Sequence, residues 1–216
     1  QFYFLEVNTR LQVEHGVTEL VYKVDLVNWM VSLAAKQLAP LVELEQNLVA
    51  KGHAIQVRLY AEDANKSFQP SAGLISHVKW ATEVEQGTLR IDHWLESGTE
   101  VSPFFDPMLA KVICHSESRE QALTGLKQAL INSEIYGIET NKDYLHQLLS
   151  SKVVEEAKLL TQTLNQFVYA PCSIDVLSGG TQTTIQDYPG RKGYWNIGVP
   201  PSGPMDSVSF RLANTL

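Results

Sequence analysis

Five polar side chains of four residue types alternate with other residues near the start of the sequence, in the stretch EVNTRLQVEH. They occupy the even positions, at Glu6, Asn8, Arg10, Gln12 and Glu14. Side chains at every second position share one face of a strand, so this spacing predicts a strand whose polar face is about 25 Å long. A strand that turns its polar face toward water would by itself explain the alternation. The mixture of acid, amide and base is richer than solubility requires, and it also fits a reaction cleft.

Each of these side chains has a chemistry that a cleft could use. Glu6 and Asn8 form an oxygen-rich pair suited to a hard cation such as Mg²⁺. Arg10 offers a planar donor fork for a carboxylate or a bicarbonate-like anion. Gln12 can donate and accept hydrogen bonds, and Glu14 could accept a proton.

A second strand, predicted over His53–Glu62, carries another candidate. Its aliphatic residues alternate with a polar side that includes Arg58 and Glu62. A lone arginine on a polar strand face is commonly explained by a surface ion pair, here with Glu62 four residues on. The other interpretation is that Arg58 faces a bound anion.

The elements that position these residues alternate irregularly between strand and helix. Asp25 is a predicted N-cap of a helix that Pro40 ends. Ser118 and Gln121 match a capping box before a helix buried through Ala122, Leu126, Ala129 and Leu130. Further strands are predicted at Leu74–Trp80, Thr88–His93 and Leu109–His115, and further helices at Lys142–Leu149 and Val153–Phe167. This order indicates an α+β fold.

The composition excludes several classes of function. The net charge is −7, which argues against nucleic acid and anionic membranes as partners. No apolar run approaches the roughly 18 residues that a membrane span needs. Two cysteines are too few for a disulfide framework and favour a reducing, cytoplasmic setting, with Cys114 expected to be buried. The histidine and cysteine spacings suggest no zinc site.

Five segments of the sequence carry a family resemblance. FLEVNTRLQVEHGVTE (residues 4–19) closely resembles the signature segment of biotin carboxylases, the ATP-grasp component of biotin-dependent carboxylases. The likeness continues in order through GHAIQVRLYAED, FQPSAGLI, FFDPMLAKVI and YGIETN. The resemblance implies that residues 1–168 are the C-terminal part of such a domain, with a mixed or antiparallel sheet and helices.

The resemblance also implies roles for the candidate residues. Glu6, with Asn8 beside it, would hold the Mg²⁺ (or Mn²⁺) that bridges the phosphates of ATP. Arg10, Gln12 and the backbone of Val13 would hold bicarbonate.

The same resemblance makes Glu14 the general base that deprotonates bicarbonate and Arg58 the arginine that stabilises the biotin enolate. Gly16 departs from the pattern, because most relatives have proline after the Glu-His pair. We expect this glycine to loosen the exit from the strand.

The pattern of predicted elements changes near Pro171. Strands are predicted at Ser173–Leu177 and Thr183–Gln186, followed by a Gly/Pro-dense loop at Asp187–Pro204 and a helix with Val208, Leu212 and Leu216 on one face. TQTTIQDYPGRKGYWNIGVPPSGPMDSVSFRLAN resembles the start of the allophanate hydrolase subunit 2, or KipA-like, domain. Residues 169–216 are therefore expected to begin a mostly-β carboxyltransferase domain.

A biotin carboxylase followed directly by this domain is the arrangement of urea carboxylases and urea amidolyases. It implies that ATP and bicarbonate carboxylate biotin held on a downstream carrier domain, and that urea receives the carboxyl group to give allophanate. An allophanate hydrolase would be a partner. A sequence that starts at a glutamine and stops in an unfinished helix is expected to be an inactive fragment of such a protein.

Two alternatives stay open. One is a biotin carboxylase component that serves another substrate, such as guanidine or an acyl-CoA. The other is a non-catalytic KipA-like binding or regulatory protein that keeps remnants of both domains.

Overall fold

The computed structural model describes residues 3–171, 177–181, 198, 203 and 206–215. The chain divides into two compact units, residues 1–171 and 172–216, and each is described by itself. The assignment of residues 1–168 and 169–216 to two domains of named type stays a prediction.

The first unit alternates short helices with short strands. In chain order its elements are α1 His15–Tyr22, α2 Leu26–Ala34, α3 Leu41–Gln46, β1 His53–Tyr60, β2 Glu62–Asp63, β3 Gln69–Pro70, β4 Gly73–Leu74, β5 His77–Lys79, β6 Thr88–His93, β7 Glu100–Val101, β8 Met108–Ser116, α4 Arg119–Asn132, β9 Glu134–Tyr136, α5 Lys142–Leu149, α6 Lys152–Glu155 and α7 Thr163–Gln166, with a 3-10 turn at Ala64–Lys66.

A three-stranded antiparallel sheet forms the centre of this unit, in the order β1-β8-β6. The strand β8 lies in the middle, so Lys111 is the direct neighbour of Arg58 on one side and of Asp92 on the other. Directly opposed residues project from the same face of a sheet. The α+β prediction with an antiparallel sheet is confirmed.

Helices cover both faces of this sheet. The helix α4 packs on β8 and β1. The capping-box prediction is confirmed by reciprocal bonds between Ser118 and Gln121. The predicted apolar face of the helix is buried, as is Cys114 beneath it. On the opposite face, α1 packs against β1 and β8.

The strand predicted over residues 6–14 is wrong. Residues 3–9 have no regular structure, residues 13 and 14 form a turn, and α1 begins at His15. A strand needs a neighbour to satisfy its backbone N–H and C=O groups. In the described part of the chain no strand pairs with this segment, and most of its side chains are exposed.

Two predicted helices are shorter than expected. Asp25 caps α2 as predicted, with its carboxylate accepting the N–H of Asn28 at 2.7 Å, but the helix ends at Ala34 rather than near Pro40. The segment Val153–Phe167 is two helices, α6 and α7, instead of one. Left-handed residues follow α2 and α6, Lys36 at φ 57° and Ala157 at φ 55°, and such a residue terminates a helix.

The second unit contains the described helix α8, Ser207–Ala213. The carboxylate of Asp206 caps it by accepting the N–H groups of Val208 and Ser209 at 3.0 and 3.1 Å. The strands and loop predicted between Ser173 and Pro204 lie outside the described residues, apart from residues 177–181, 198 and 203. Among the described helices, none is long and apolar enough to cross a membrane.

Candidate functional site

Two of the predicted site residues, Glu14 and Arg58, meet in the structure. Arg58 Nη2 donates a hydrogen bond to Glu14 Oε1, and the two side chains form an ion pair. Arg58 reaches Glu14 from the polar side of β1, while Glu14 occupies the turn immediately before α1. The interpretation of Arg58 as a surface partner of Glu62 is wrong, because its ion pair in the structure is with Glu14.

The local backbone leaves the Glu14 side chain available for this contact. Glu14 is the N-cap of α1, and its carbonyl accepts the N–H of Val17 at 3.0 Å. Its carboxylate makes no capping bond to the helix. The carboxylate can therefore turn toward β1.

The side chain of Asn141 fixes the backbone around Arg58. Asn141 Oδ1 accepts the N–H of Tyr60 at 2.9 Å, and Asn141 Nδ2 donates to the carbonyl of Arg58 at 3.2 Å. The strand β1 is an edge strand, so these outward-facing backbone groups lack a neighbouring strand. Asn141 is buried and satisfies them at the irregularity between Leu59 and Tyr60.

The guanidinium of Arg58 keeps its positive charge. A hydrogen bond with the side chain of Tyr60 and the negative charge of Glu14 raise the pKa of Arg58, although partial burial acts in the opposite direction. A fixed cation at this point suits the binding of an anion or the stabilisation of developing negative charge.

Four of the five even-numbered side chains line one open groove of about 580 Å³, although no strand aligns them. They are Asn8, Arg10, Gln12 and Glu14. The groove is also lined by apolar residues of α2, Leu26, Trp29, Met30 and Leu33. Arg58 lines a separate cleft of about 760 Å³. The ion pair thus connects a residue that lines one cavity with a residue that lines the other.

The anion-binding candidates lie in the turn that leads into α1. Arg10 Nη1 donates to the carbonyl of Leu11 at 3.4 Å, so the guanidinium folds back onto its own segment. The carbonyl of Gln12 lies 2.6 Å from His15 Nδ1. Val13 stands between Gln12 and Glu14 in this turn. A backbone turn and an arginine fork can together hold a small planar anion.

Glu6 and Asn8 offer only part of a metal site. Asn8 Nδ2 lies 3.5 Å from Glu6 Oε1, which is the long limit of a hydrogen bond, and both side chains are exposed. Their carboxylate and amide oxygens are donors that Mg²⁺ accepts. The described residues contain no group of three or more His, Cys, Asp or Glu side chains that could hold a metal. Glu6 and Asn8 could therefore supply two ligands of a larger set.

The sequence patterns did not single out Asn141, which bonds to the backbone of Arg58 and Tyr60, or Glu19, which bonds to Leu26 and Arg90. Asn141 belongs to the YGIETN segment, but its contact with β1 joins residues 81 and 83 positions apart. Glu19 lies on α1 and is buried. The presence of a carboxylate in a helix with apolar neighbours was the available signal for Glu19.

Two family models match parts of the chain, and known proteins are similar to the whole of it. Residues 56–166 match the biotin carboxylase C-terminal domain. Residues 1–41 match the ATP-binding domain of the carbamoyl-phosphate synthase L chain. The sequence is 49% identical to a urea amidolyase of Lachancea kluyveri over 100% of this chain and 11% of that protein. The chain thus spans about a ninth of the length of this relative.

Two solved structures extend the comparison. The crystal structure of the Kluyveromyces lactis urea carboxylase superposes with a TM-score of 0.86 and 49% identity, covering 100% of this chain and 18% of that one. The biotin carboxylase domain of a thermophilic 2-oxoglutarate carboxylase, bound to bicarbonate, gives a TM-score of 0.72 at 33% identity, covering 78% and 38% of the two chains.

Proposed function

The chain belongs to the biotin carboxylase C-terminal domain family, and from this premise we propose that it works within a urea carboxylase. The longer polypeptide that would carry it is called the parent below. The parent would use ATP and bicarbonate to carboxylate biotin on a separate carrier domain, and would then transfer the carboxyl group to urea, giving allophanate. The similarity of the whole of this chain to part of a urea amidolyase and part of a urea carboxylase supports this substrate over guanidine or an acyl-CoA.

The ion pair between Glu14 and Arg58 is the observation that carries the proposal. It places a carboxylate beside a permanent cation, at the end of a groove that also contains Arg10 and Gln12. In this proposal Arg10, Gln12 and the backbone of Val13 bind bicarbonate. Glu14 then accepts the proton of bicarbonate, which makes its oxygen a better nucleophile toward the terminal phosphate of ATP.

Arg58 has two consecutive tasks in this scheme. Before the reaction it orients the carboxylate of Glu14 through their hydrogen bond. Later its charge stabilises negative charge on the biotin ring that receives the carboxyl group. A cation that is oriented in advance lowers the barrier more than one that must be moved into place during the reaction.

Glu6 and Asn8 would hold Mg²⁺ or Mn²⁺ together with ligands outside this pair. A divalent ion there would neutralise charge on the phosphates of ATP. The partners of the chain in this scheme are the biotin carrier domain, the remaining carboxyltransferase and an allophanate hydrolase. Residues 169–216 would begin the KipA-like part of that carboxyltransferase. The cytoplasmic setting expected from the cysteine content belongs to the same proposal.

The test uses the purified parent in one coupled assay. Acceptor-dependent ATP cleavage is measured with urea, guanidine and acetyl-CoA as alternative acceptors, at equal concentrations of ATP and bicarbonate, and allophanate is identified as the product formed from urea. We expect turnover with urea to exceed turnover with the other two. Preference for guanidine or acetyl-CoA would favour the substrate alternative, and a parent that binds partners without any turnover would favour the regulatory one.

The same assay tests the base. Glu14→Gln should abolish bicarbonate-dependent ATP cleavage while the Kd for ATP stays unchanged, because the amide cannot accept the proton. Glu156→Gln is the matched control, since Glu156 also forms an exposed ion pair, with Lys158. Unchanged turnover in Glu14→Gln would remove Glu14 from this role.

A further inference from the structure

A buried carboxylate lies five residues after Glu14. Glu19 is on α1 and only 7% exposed. Burial of an ionised carboxylate is costly unless partners compensate its charge. The partners of Glu19 therefore show what its burial achieves.

Both oxygens of Glu19 are engaged, and by different elements. Oε1 accepts the backbone N–H of Leu26, the first residue of α2, at 2.8 Å. Oε2 accepts from Arg90 Nη1 on β6 at 2.6 Å. One side chain thus connects α1, the start of α2 and the central sheet.

The arginine at the other end of this contact is itself held rigidly. Arg90 donates from Nε and Nη2 to the two oxygens of Asp92, at 2.9 and 3.0 Å. Asp92 Oδ2 is also paired with Lys111 Nζ at 2.9 Å. Two parallel hydrogen bonds fix the plane of a guanidinium, so Arg90 presents Nη1 to Glu19 in one orientation.

This network lies on the same sheet face as Arg58. Lys111 is the direct cross-strand neighbour of both Arg58 and Asp92, so all three side chains project toward the side that α1 covers. The network and the ion pair between Glu14 and Arg58 are therefore two contacts between one helix and one sheet face.

The first turn of α1 is in close contact with that face. A Cβ added at Gly16 would overlap Ile113 Cδ1 and would lie 3.8 Å from Arg90 Cζ. Glu14 precedes this turn and its side chain makes no bond to the helix. The position of its carboxylate therefore follows the position of α1 on the sheet.

We propose that Glu19 is a positioning residue for the carboxylation reaction. Through Arg90 it sets the position of α1 so that Glu14 faces Arg58, and through the N–H of Leu26 it sets the start of α2, whose apolar residues line the groove. This inference rests on the proposed role of Glu14. Buried ion pairs contribute little net stability compared with apolar packing, which is why orientation rather than stability is the property that we assign to this one.

The test uses Glu19→Gln in the parent. The variant keeps the size of the side chain but loses the charge that pairs Glu19 with Arg90. We expect kcat for bicarbonate-dependent ATP cleavage to fall by about 10- to 100-fold, as small displacements of a catalytic group do. The KM for ATP should stay within about twofold, because the displaced group acts on bicarbonate rather than on the nucleotide.

Asp63→Asn is the matched control. Asp63 is a buried carboxylate with 8% exposure, paired with Lys66 and bonded to the N–H of Asn65, and neither of these partners belongs to α1. A general loss of stability would lower Tm in both variants. Only Glu19→Gln should lower kcat while the KM for ATP stays nearly unchanged.

Arg90→Lys provides a second variant should Glu19→Gln not fold. A single ammonium group cannot bind Asp92 and Glu19 with the geometry of a guanidinium, so kcat should fall in the same direction although a positive charge stays beside both carboxylates. Wild-type kcat in a folded Glu19→Gln or Arg90→Lys protein would overturn the positioning role. Turnover in Glu14→Gln would instead overturn the proposed function, so the two failures are distinguishable.

Discussion

Glu14 and Arg58 form an ion pair between residues 44 positions apart in the chain. The Arg58 side chain is 36% exposed and that of Glu14 is 57% exposed. Water screens an ion pair with this exposure, and such pairs contribute at most about 1 kcal/mol to stability. The contact is therefore more important for the orientation of the carboxylate than for the stability of the fold.

Substitution of Arg58 separates these two effects. Arg58→Met keeps much of the length of the side chain and removes its charge. We expect the free energy of unfolding to change by less than about 1 kcal/mol. Turnover of the parent should fall by at least about 100-fold, which is typical when a fixed donor is removed from developing negative charge.

Both quantities can be measured on one preparation, by guanidinium chloride unfolding and by the coupled allophanate assay. Lys158→Met is the control, because Lys158 also forms an ion pair, a more exposed one, with Glu156. It should leave stability and turnover unchanged. Near-normal turnover in Arg58→Met would show that the cation is not required.

Local sequence patterns correctly predicted the elements that are determined by residues close together in the sequence. The alternation of apolar and polar residues in HAIQVRLY identified β1, and the side predicted to be apolar is buried at Val57 and Leu59. The capping box of Ser118 identified the start of α4. In both cases the neighbouring residues alone determine the structure, through the periodicity of a strand or the bonds of a cap.

Properties set by distant residues were not predicted. The alternation over residues 6–14 is a strand pattern, but a strand also depends on a neighbour that no local pattern shows. The ion-pair interpretation of Arg58 named Glu62, four residues away, and the partner in the structure is Glu14 instead. The network around Glu19 joins residues 71 positions apart, which only the folded sheet brings together.

Asp92 should make stability depend on pH in the acidic range. Burial opposes its ionisation, but the hydrogen bonds from Arg90 and Lys111 outweigh burial and lower the pKa of Asp92 below its ordinary value of 3.8. The native state then binds fewer protons than the unfolded state. The stabilisation is present above about pH 3.8 and is lost as the pH falls through the lower native pKa.

The measurement is the free energy of unfolding, obtained by denaturant titration at a series of pH values between pH 5 and pH 3. Asp92→Asn should show a shallower decline toward acid than the wild type. Glu62→Gln should show a steeper one, because burial and the charge of Asp106 raise the pKa of Glu62, so its contribution has the opposite sign. If the free energy of unfolding declined equally with falling pH in all three proteins, the opposite pKa shifts of Asp92 and Glu62 would be contradicted.

Gly137 should not tolerate a side chain. Its φ is +113°, and an added Cβ would overlap the carbonyl of Leu74 and lie 2.7 Å from the nitrogen of Ser76. Gly98 is the matched control, with φ +94° and nothing within 4 Å of such a Cβ. Gly98→Ala should cost about 1–2 kcal/mol from backbone strain alone.

Gly137→Ala should cost a further 1–3 kcal/mol or so, because backbone atoms must move to admit the methyl group. The difference between the two variants in guanidinium chloride unfolding isolates this steric contribution. Equal destabilisation would mean that the turn between β9 and the following segment can open without cost.

Leu126 should be a principal contributor to the stability of the first unit. It is fully buried between α4 and the central sheet, on the face opposite to α1. Leu126→Ala should lower the free energy of unfolding by about 2–5 kcal/mol, through lost apolar burial and the cavity left behind. Ile131→Ala in the same helix is the control, because Ile131 is 62% exposed and its removal should change stability by less than about 0.5 kcal/mol.

Since Leu126 and Glu14 act on opposite faces of the sheet, kcat of the folded Leu126→Ala parent should stay near that of the wild type at low temperature. A parallel loss of kcat would mean that the α4 face also determines the position of the groove.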